Sequence, residues 1–501
     1  MRTDISGRGG RRLPRSAVAL ALCLSLAAFT ASAAAQSAAP DANIGDVVAD
    51  GALELTLDEA VAIALESGHE LGMVEAAEEA ARARNAQARS AFLPAVSASA
   101  SYTRLDEVPY MDASGFGQMF APLMVPFEYL VEQGYLDPST LEGLAGDTGS
   151  DRITMGDDDV YSVGVTVTQP LFTGGALLSA KAAAGHGLRA AEYNTVRSEH
   201  ETRYTATQAY VMLVQAKAAL EVMDDAVAQM QSHLDNLEVM YDEGMILERD
   251  IMQARVQMSA VELDRNSAKH AVILARAGLA FQLGVRPGTR IDATEALDRS
   301  VAAPRHADGL VKTALTERPD LKAMRESVGA ADNIVGMARS EFFPQIVAMG
   351  SYNWDRPNRE NDPEFYDHWS VTIAAQMNVF DWGGRWNRVR EARASRLQAE
   401  RGLKMMEDAV RLEVERSWQE YDTAIRAVSI AERGVTQARE SYRVTEESFR
   451  SGVASNSDVL DASTALSTAE MNSVAALARL RLAEAGLDLA AGVVGEWEET
   501  R

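Results

Sequence analysis

Cysteine is almost absent from the sequence. The single cysteine in 501 residues, Cys23, lies in an N-terminal stretch built like a secretory leader. Residues 1–35 begin with Arg2, Arg8, Arg11, Arg12 and Arg15. An apolar run from Ala17 to Ala28 follows, and then Ala-Ser-Ala-Ala-Ala ahead of Gln36. A basic start, a short apolar core and small residues form the pattern of a cleaved signal peptide. Leu22 stands where a lipoprotein signal needs a small residue, so lipid attachment is not expected. Without residues 1–35 no thiol remains, which excludes disulfides, cysteine metal sites and thiol catalysis.

Basic residues are also in short supply. The formal net charge is −25, and loss of the leader, with five Arg and one Asp, takes it to about −29. No basic footprint for nucleic acid is present. The acidity reads either as a solvated surface or as an acidic lumen that favours cations. The seven histidines (69, 186, 200, 233, 270, 306 and 368) form no metal-ligand pair such as H-E-x-x-H. His200 and His233 fall on long helices, where a surface position is the default reading. Gly115-Phe-Gly117 lacks the third glycine of a dinucleotide loop, and no P-loop or G-x-S-x-G elbow occurs. An enzyme, a metal site and a cofactor are therefore not expected.

Long apolar helices are missing too. Val160–Ala180 carries no charge over 21 residues, long enough to cross a bilayer as a helix. It contains Pro170, Gly174-Gly175 and β-branched alternation, so it reads as strand, turn and helix start. Aromatics are only 6% of the chain, and the abundant alanine favours long helices in close contact.

The sequence does contain an internal duplication. Residues 88–102 (ARSAFLPAVSASASY) match 338–352 (ARSEFFPQIVAMGSY) at eight of fifteen positions, at an offset of 250. Residues 244–262 match 452–470 at an offset of 208, with Gly244, Asp250, Ala254, Ser259 and Glu262 identical to their partners. The offset changes because the first copy has about fifty extra residues between Arg104 and Val160. The copies span about 52–285 and 308–493, joined by a Pro-, Gly- and charge-containing linker at 286–307, with a tail at 494–501.

Each copy reads as helix, strand, loop, strand, very long helix, turn and helix. Strands are expected at about 95–104, 160–169, 345–354 and 369–379. In each, one face is apolar: Val96, Ala98, Ala100 and Tyr102; Tyr161, Val163, Val165 and Val167; Ile346, Ala348, Gly350, Tyr352 and Trp354; Trp369, Val371, Ile373, Ala375, Met377 and Val379. Helical hairpins are expected over about 176–284 and 385–492. Leu213, Leu220, Val227, Leu234 and Tyr241 repeat every seven residues, as do Tyr421, Val428, Val435, Tyr442 and Phe449. Small residues between them mark close coiled-coil packing. A first helix of this length is roughly 100 Å long.

Only helices and closed barrels span a bilayer. Four strands cannot close, because membrane barrels need about eight or more. If the strands enter a membrane, several chains must share one barrel; three chains supply twelve strands, and four chains also satisfy closure. A soluble periplasmic coiled-coil scaffold or adaptor accounts for the heptads and leader but leaves the four amphipathic strands unexplained.

The duplicated units, the turns QPLFTGG (169–175) and VFDWGG (379–384), and a hairpin ending in G-x5-DVLDA (452–462) resemble the TolC-like outer membrane efflux protein family. The resemblance covers about 52–493. It implies a mainly α protein with a small membrane portion: a homotrimer with a 12-stranded β-barrel in outer-membrane lipid, continuous with a long periplasmic α-helical coiled-coil barrel. It implies as partners a periplasmic adaptor (membrane fusion) protein and an inner-membrane pump of RND or ABC type, serving efflux or type I secretion.

The resemblance also assigns residues. The hairpin tips at Gly244 and Gly452 form the periplasmic entrance and meet the adaptor; as C-caps free to take positive φ they also have a purely structural reading. Asp458 and Asp461 match aspartates that ring the entrance. In a trimer they give six carboxylates, whose crowding raises some pKa values and attracts cations. Asp458 can equally cap its helix. Asp250 is its first-copy counterpart, with Gln253 in place of the second aspartate. Ala454 and Phe449 replace an arginine and a tyrosine that help close similar channels, which makes Arg249 a candidate replacement. Tyr102, Tyr161, Trp354 and Trp369 are candidate membrane-interface aromatics. The loop at about 105–159, with Phe116, Met119, Phe120 and Phe127 and ending in Asp157-Asp158-Asp159, reads as a cap on the outer mouth or an insertion.

Overall fold

A computed structural model describes residues 53–108, 110–112, 129–135, 137, 152–154, 157–286, 288–297, 307–358 and 364–493. The leader, the apolar loop residues Phe116–Phe127, linker residues 298–306 and the tail 494–501 lie outside the described residues.

The first copy comprises β1 (Leu53–Leu55), α1 (Leu57–Ser67), α2 (His69–Ser90), β2 (Ala95–Arg104), a short hairpin β3 (Tyr110–Asp112) and β4 (Arg152–Thr154), β5 (Asp159–Phe172), α3 (Ala176–Asp242) and α4 (Glu248–Gln282). After β6 (Ile291–Ala293), the second copy comprises α5 (Ala307–Glu317), α6 (Pro319–Ser340), β7 (Gln345–Arg356), β8 (Tyr366–Gln376), α7 (Gly384–Arg450) and α8 (Asn456–Ala491). Pro94 and Pro344 sit where α2 and α6 give way to strand, because proline cannot donate to a helix and pushes its predecessor out of αR. No described helix is long and apolar enough to cross a membrane, and Val160–Ala180 divides into strand, turn and helix as its breakers predict.

α3 and α7 each have 67 residues, roughly 100 Å at 1.5 Å per residue. Propensity alone does not hold helices of this length in place; burial of one stripe does. The two sequence offsets recur in what is buried. Ala206, Leu213, Val272 and Leu279 in the first core correspond to Val414, Tyr421, Leu480 and Leu487 in the second. Ala64 and Ala314 pair at the other offset. α3 packs on α4 and α7 on α8, and α6 lies between α3 and α7, joining the copies.

Part of the stretch read as a linker is ordered structure. Ile291–Ala293 pairs in parallel with Leu53–Leu55, and Ile291 and Ala293 are buried in the first core. The Pro and Gly content of that segment marks its turns and conceals a three-residue strand too short to show a period.

Candidate channel wall and entrance

The four long strands form one sheet in the order β2-β5-β7-β8. Its register fuses the four predicted apolar faces into one. Val96, Val167, Gly350 and Val371 lie across from one another, as do Ala98, Val165, Tyr352 and Trp369. Ala100, Val163 and Trp354 continue the face, then Tyr102 and Tyr161. The opposite face is polar: Ser97, Thr166, Ser351 and Ser370 form one row, and Ser101, Ser162, Asp355 and Tyr366 another. Its groups satisfy each other, with the Ser162 hydroxyl donating to Asp355 at 2.6 Å and the Ser351 and Ser370 hydroxyls 2.8 Å apart. A one-residue slip would reverse every side chain, so the common register fixes which face is which.

Both edges of this sheet, β2 and β8, lack a partner among the described residues. Trp369, Val371 and Ile373 on β8 are exposed. An open edge with a bare apolar face is an aggregation hazard in water, and it is the element that a shared membrane barrel needs.

The predicted interface aromatics gather at the loop end of the apolar face. Tyr102 and Tyr161 rings lie 4.9 Å apart, and Trp354 stacks edge-on with Tyr352 at 4.5 Å. Tyr352, across from Trp369, donates to Asp367 at 2.6 Å. A second aromatic group at the helix end was not read from the sequence: Phe342, Phe380, Trp382 and Trp386, with Phe380 and Trp382 rings 4.9 Å apart and Phe342 and Trp386 5.3 Å apart. The run FDWGGRW (380–386) around the turn is the sequence signal that reasoning from alternation passed over. Two such groups flanking an apolar band have the layout of the girdles of membrane barrels.

The hairpin tips lie at the far end of the long helices. Gly244 and Gly452 both have φ of 77°, and each follows its helix with the same pair of backbone bonds. Gly244 N–H donates to Tyr241 O at 2.8 Å and Met245 N–H to Met240 O at 2.9 Å; Gly452 N–H donates to Phe449 O at 2.9 Å and Val453 N–H to Ser448 O at 2.8 Å. This is the helix-ending geometry that selects glycine. Met245, Leu247 and Val453 at the tips are exposed apolar side chains.

Asp458 is the third residue of a capping box. It accepts from Ser455 N–H at 2.8 Å and the Ser455 hydroxyl at 2.7 Å, and the Ser455 side chain accepts from Asp458 N–H. The Ser455 hydroxyl and N–H hold its carboxyl below the usual carboxylate range. Asp250 occupies the same position in α4 and accepts from Leu247 N–H, at 3.3 Å, without the hydroxyl bond that Asp458 has, since Leu247 offers no side-chain oxygen. Asp461 is exposed and has no hydrogen-bond partner among the described residues. Arg249 is exposed and reaches only the neighbouring Asp250, at 3.5 Å.

The histidine read as a surface residue is buried. His233 is 4% exposed, and its Nε2 lies 2.8 Å from the side-chain oxygen of Asn456, itself 5% exposed. Asn456 donates in turn to Asp250 O at 3.1 Å. Phe449 packs edge-on to the His233 ring at 5.5 Å. These residues sit in an apolar cluster that joins the two hairpins, including Leu237, Ile251, Val459 and Ala454. Phe449 and Ala454 thus lie in this cluster, and the hydrogen bond between the hairpins there is made by His233 and Asn456. The pairing of His233 with Asn456, 223 positions away, is invisible to periodicity.

A sheet with one apolar face, one polar face and two open edges, standing on helical hairpins roughly 100 Å long, defines a subunit of a membrane β-channel with a helical tunnel. The chain matches the family "Outer membrane efflux protein" over residues 140–285 and 310–493. It is similar to "Outer membrane protein TolC" of Vibrio cholerae, 21% identical over 327 residues, covering 63% of this chain and 73% of that protein. It is similar also to "Protein CyaE" of Bordetella pertussis, 27% identical over 368 residues, covering 70% and 75%. The fold resembles the Campylobacter jejuni CmeC outer membrane channel, with a TM-score of 0.71, 17% identity and coverage of 87% and 85%. The chain belongs to the outer membrane efflux protein family: it is an outer-membrane channel component and not an enzyme.

Proposed function

We propose that three copies close a twelve-stranded barrel in outer-membrane lipid, and that their hairpins form a periplasmic tunnel passing substrates from a pump and adaptor to the exterior. The observation that carries this reading is the sheet with one continuous apolar face, one polar face and two unpaired edges. Lipid cannot satisfy backbone polar groups, so those edges must be joined. The apolar face then meets acyl chains and the polar face meets the conducted solute. Conduction is passive, because nothing in the wall supplies energy.

The exposed Met245, Leu247 and Val453 at the tips suit an adaptor of the membrane fusion type, backed by an inner-membrane pump of RND or ABC class. Gly244 and Gly452 shape those tips, and Arg249 offers a positive charge there. Asp458 and Asp461 put six carboxylates around a three-fold axis; Asp461 is the freer, since Asp458 is occupied with Ser455. A ring of carboxylates favours cations and binds polyvalent cations as blockers.

Planar-bilayer conductance of the purified protein tests both parts. Cation-selective channels blocked by a trivalent hexammine complex are expected, with block weakened at least tenfold in Asp458→Ala with Asp461→Ala. Absence of channels overturns the reading; unchanged block in the double variant removes these residues from the entrance.

A further inference from the structure

The two sequence offsets turn one seam seen inside the protomer into a description of another seam. β5 corresponds to residues 367–380 at an offset of 208, and β7 corresponds to β2 at an offset of 250. β5 and β7 are hydrogen-bonded to each other; their counterparts β8 and β2 are the two open edges. The ladder is incomplete on the β8 side. Gln169, Pro170 and Phe172 of β5 are paired with Ala348, Val347 and Ile346 of β7, whereas the counterpart 377–380 has no strand partner among the described residues and carries exposed Met377, Val379 and Phe380.

At the inner end of the β5–β7 seam stands Gly174, with φ of 63°. A Cβ on it would lie 2.5 Å from Ser340 O and 2.7 Å from Phe343 Cβ. The turn of the first copy therefore closes onto the α6–β7 corner, and Ser340 is only 3% exposed. The counterpart of Gly174 is Trp382, held at φ 55° and 90% exposed. A bulky side chain at positive φ is a backbone outlier that glycine would avoid. The counterparts of Ser340 and Phe343 are Ser90 and Leu93, both exposed. Each protomer thus carries an uncovered corner on one edge and a projecting indole on the other.

We propose that the β5–β7 seam is the template for a β8–β2 seam between protomers, and that Trp382 is a wedge holding this second seam open at its inner end. The occupant of each edge is a second copy of this chain. Transferring the Thr168↔Met349, Val167↔Gly350 and Phe172↔Ile346 pairs gives Gln376 opposite the partner's Ser99, Ala375 opposite the partner's Ala100, and Phe380 opposite the partner's Val96. In these three pairs apolar meets apolar and polar meets polar, and although the same register sets Ala374 opposite the partner's Ser101 and Val371 opposite the partner's Arg104 toward the loop end, it keeps the two apolar faces on one side of the pleat. The corner cannot be copied unchanged, because the indole occupies the space that Gly174 leaves for backbone. The assembly then alternates three tight internal seams with three wedged ones.

This rests on the shared-barrel reading, and the test separates the two. In a Cys23→Ala background of the full chain in outer membranes, Gln376→Cys with Ser99→Cys is expected to give a covalent trimer on oxidation. Gln376→Cys with Ser97→Cys or with Ser101→Cys is expected to give at least fivefold less. Adding Trp382→Gly is expected to raise bridging of Phe380→Cys with Val96→Cys severalfold and to leave the Gln376–Ser99 yield unchanged. Thr168→Cys with Met349→Cys, bridged within one chain, reports that the sheet has formed. Stronger bridging by a shifted pair overturns the register, and so does absence of bridging in a protein that extracts as a trimer. An unchanged Phe380–Val96 yield overturns the wedge. No bridging together with extraction as a monomer overturns the shared barrel itself.

Discussion

The two copies share a fold and differ in what secures it. Where the short helices meet, the first copy has Gly68, which leaves no room for a side chain beside Ala64 O. The second has Arg318 at the same place, 3% exposed. Its guanidinium donates to Asp320 at 2.7 and 3.1 Å, to Glu413 at 2.7 Å and to Ala490 O at 3.0 Å. Arg197 of the first copy's α3 also donates to Asp320, at 3.1 Å. The counterpart of Asp320 is the exposed Glu70. One backbone plan is thus closed by a bare glycine in one copy and by a buried ion hub in the other, and of these two closures the hub is the one that also reaches the other copy, through Arg197. The tips repeat the theme: α8 begins with a full capping box at Ser455, while α4 begins at Leu247 with half of one. The second copy is the anchored one, and the first is the more adaptable.

The largest effect is expected at the hub. Arg318→Ala leaves Asp320 buried beside a cavity and should cost about 3–5 kcal/mol, read as a fall in the thermal transition of the detergent-solubilised protein. Gly68→Ala probes the same site in the first copy and should damage packing through contact with Ala64 O. An equal loss in both would erase the contrast drawn here. The hub also sets an acid limit. Burial opposes ionisation of Asp320, but the Arg318 hydrogen bonds and charge outweigh it and hold the carboxyl below its ordinary value. A depressed folded pKa gives stability that is complete above about pH 4 and is lost as pH falls below it. Asp320→Asn should flatten that acid limb in a pH series of thermal scans.

The next effect falls at the junction of the tips. Asn456→Ala removes the bond to His233 and the bond to Asp250 O and should cost about 1–3 kcal/mol. Because this bond joins the hairpins, the channel should also rest in a wider state, measured as a higher mean conductance in planar bilayers. A variant that is less stable but conducts normally would make the junction structural only.

The smallest effect tests the caps. Ser455→Ala should cost about 1 kcal/mol. Leu247→Ser gives α4 the hydroxyl it lacks and should gain a similar amount, measured by hydrogen exchange at the start of each helix. Opposite signs at the two tips would sharpen the comparison.

Much of this fold was legible because its periods are simple. Alternation pointed to four long strands and heptads to two very long helices, while β8 runs Tyr366–Gln376, about three residues earlier than the expected 369–379, because the alternation continues past the paired residues into Met377 and Val379. The duplication then supplied the repeat logic without a single long-range contact. Three features were not legible for definite reasons. The strand Ile291–Ala293 is too short to display a period. The bond between His233 and Asn456 joins residues on different hairpins, which spacing cannot reveal. Asp458 was open to two readings, and the hydrogen bonds of Ser455 show its capping role.

The central claim is that one chain owns too few strands to seal itself and must borrow edges from its neighbours. The most direct measurement is the mass of the detergent-extracted protein by native mass spectrometry. The account predicts a complex of three identical chains that unfolds when stripped of detergent. A folded single chain that stays soluble without detergent would contradict it.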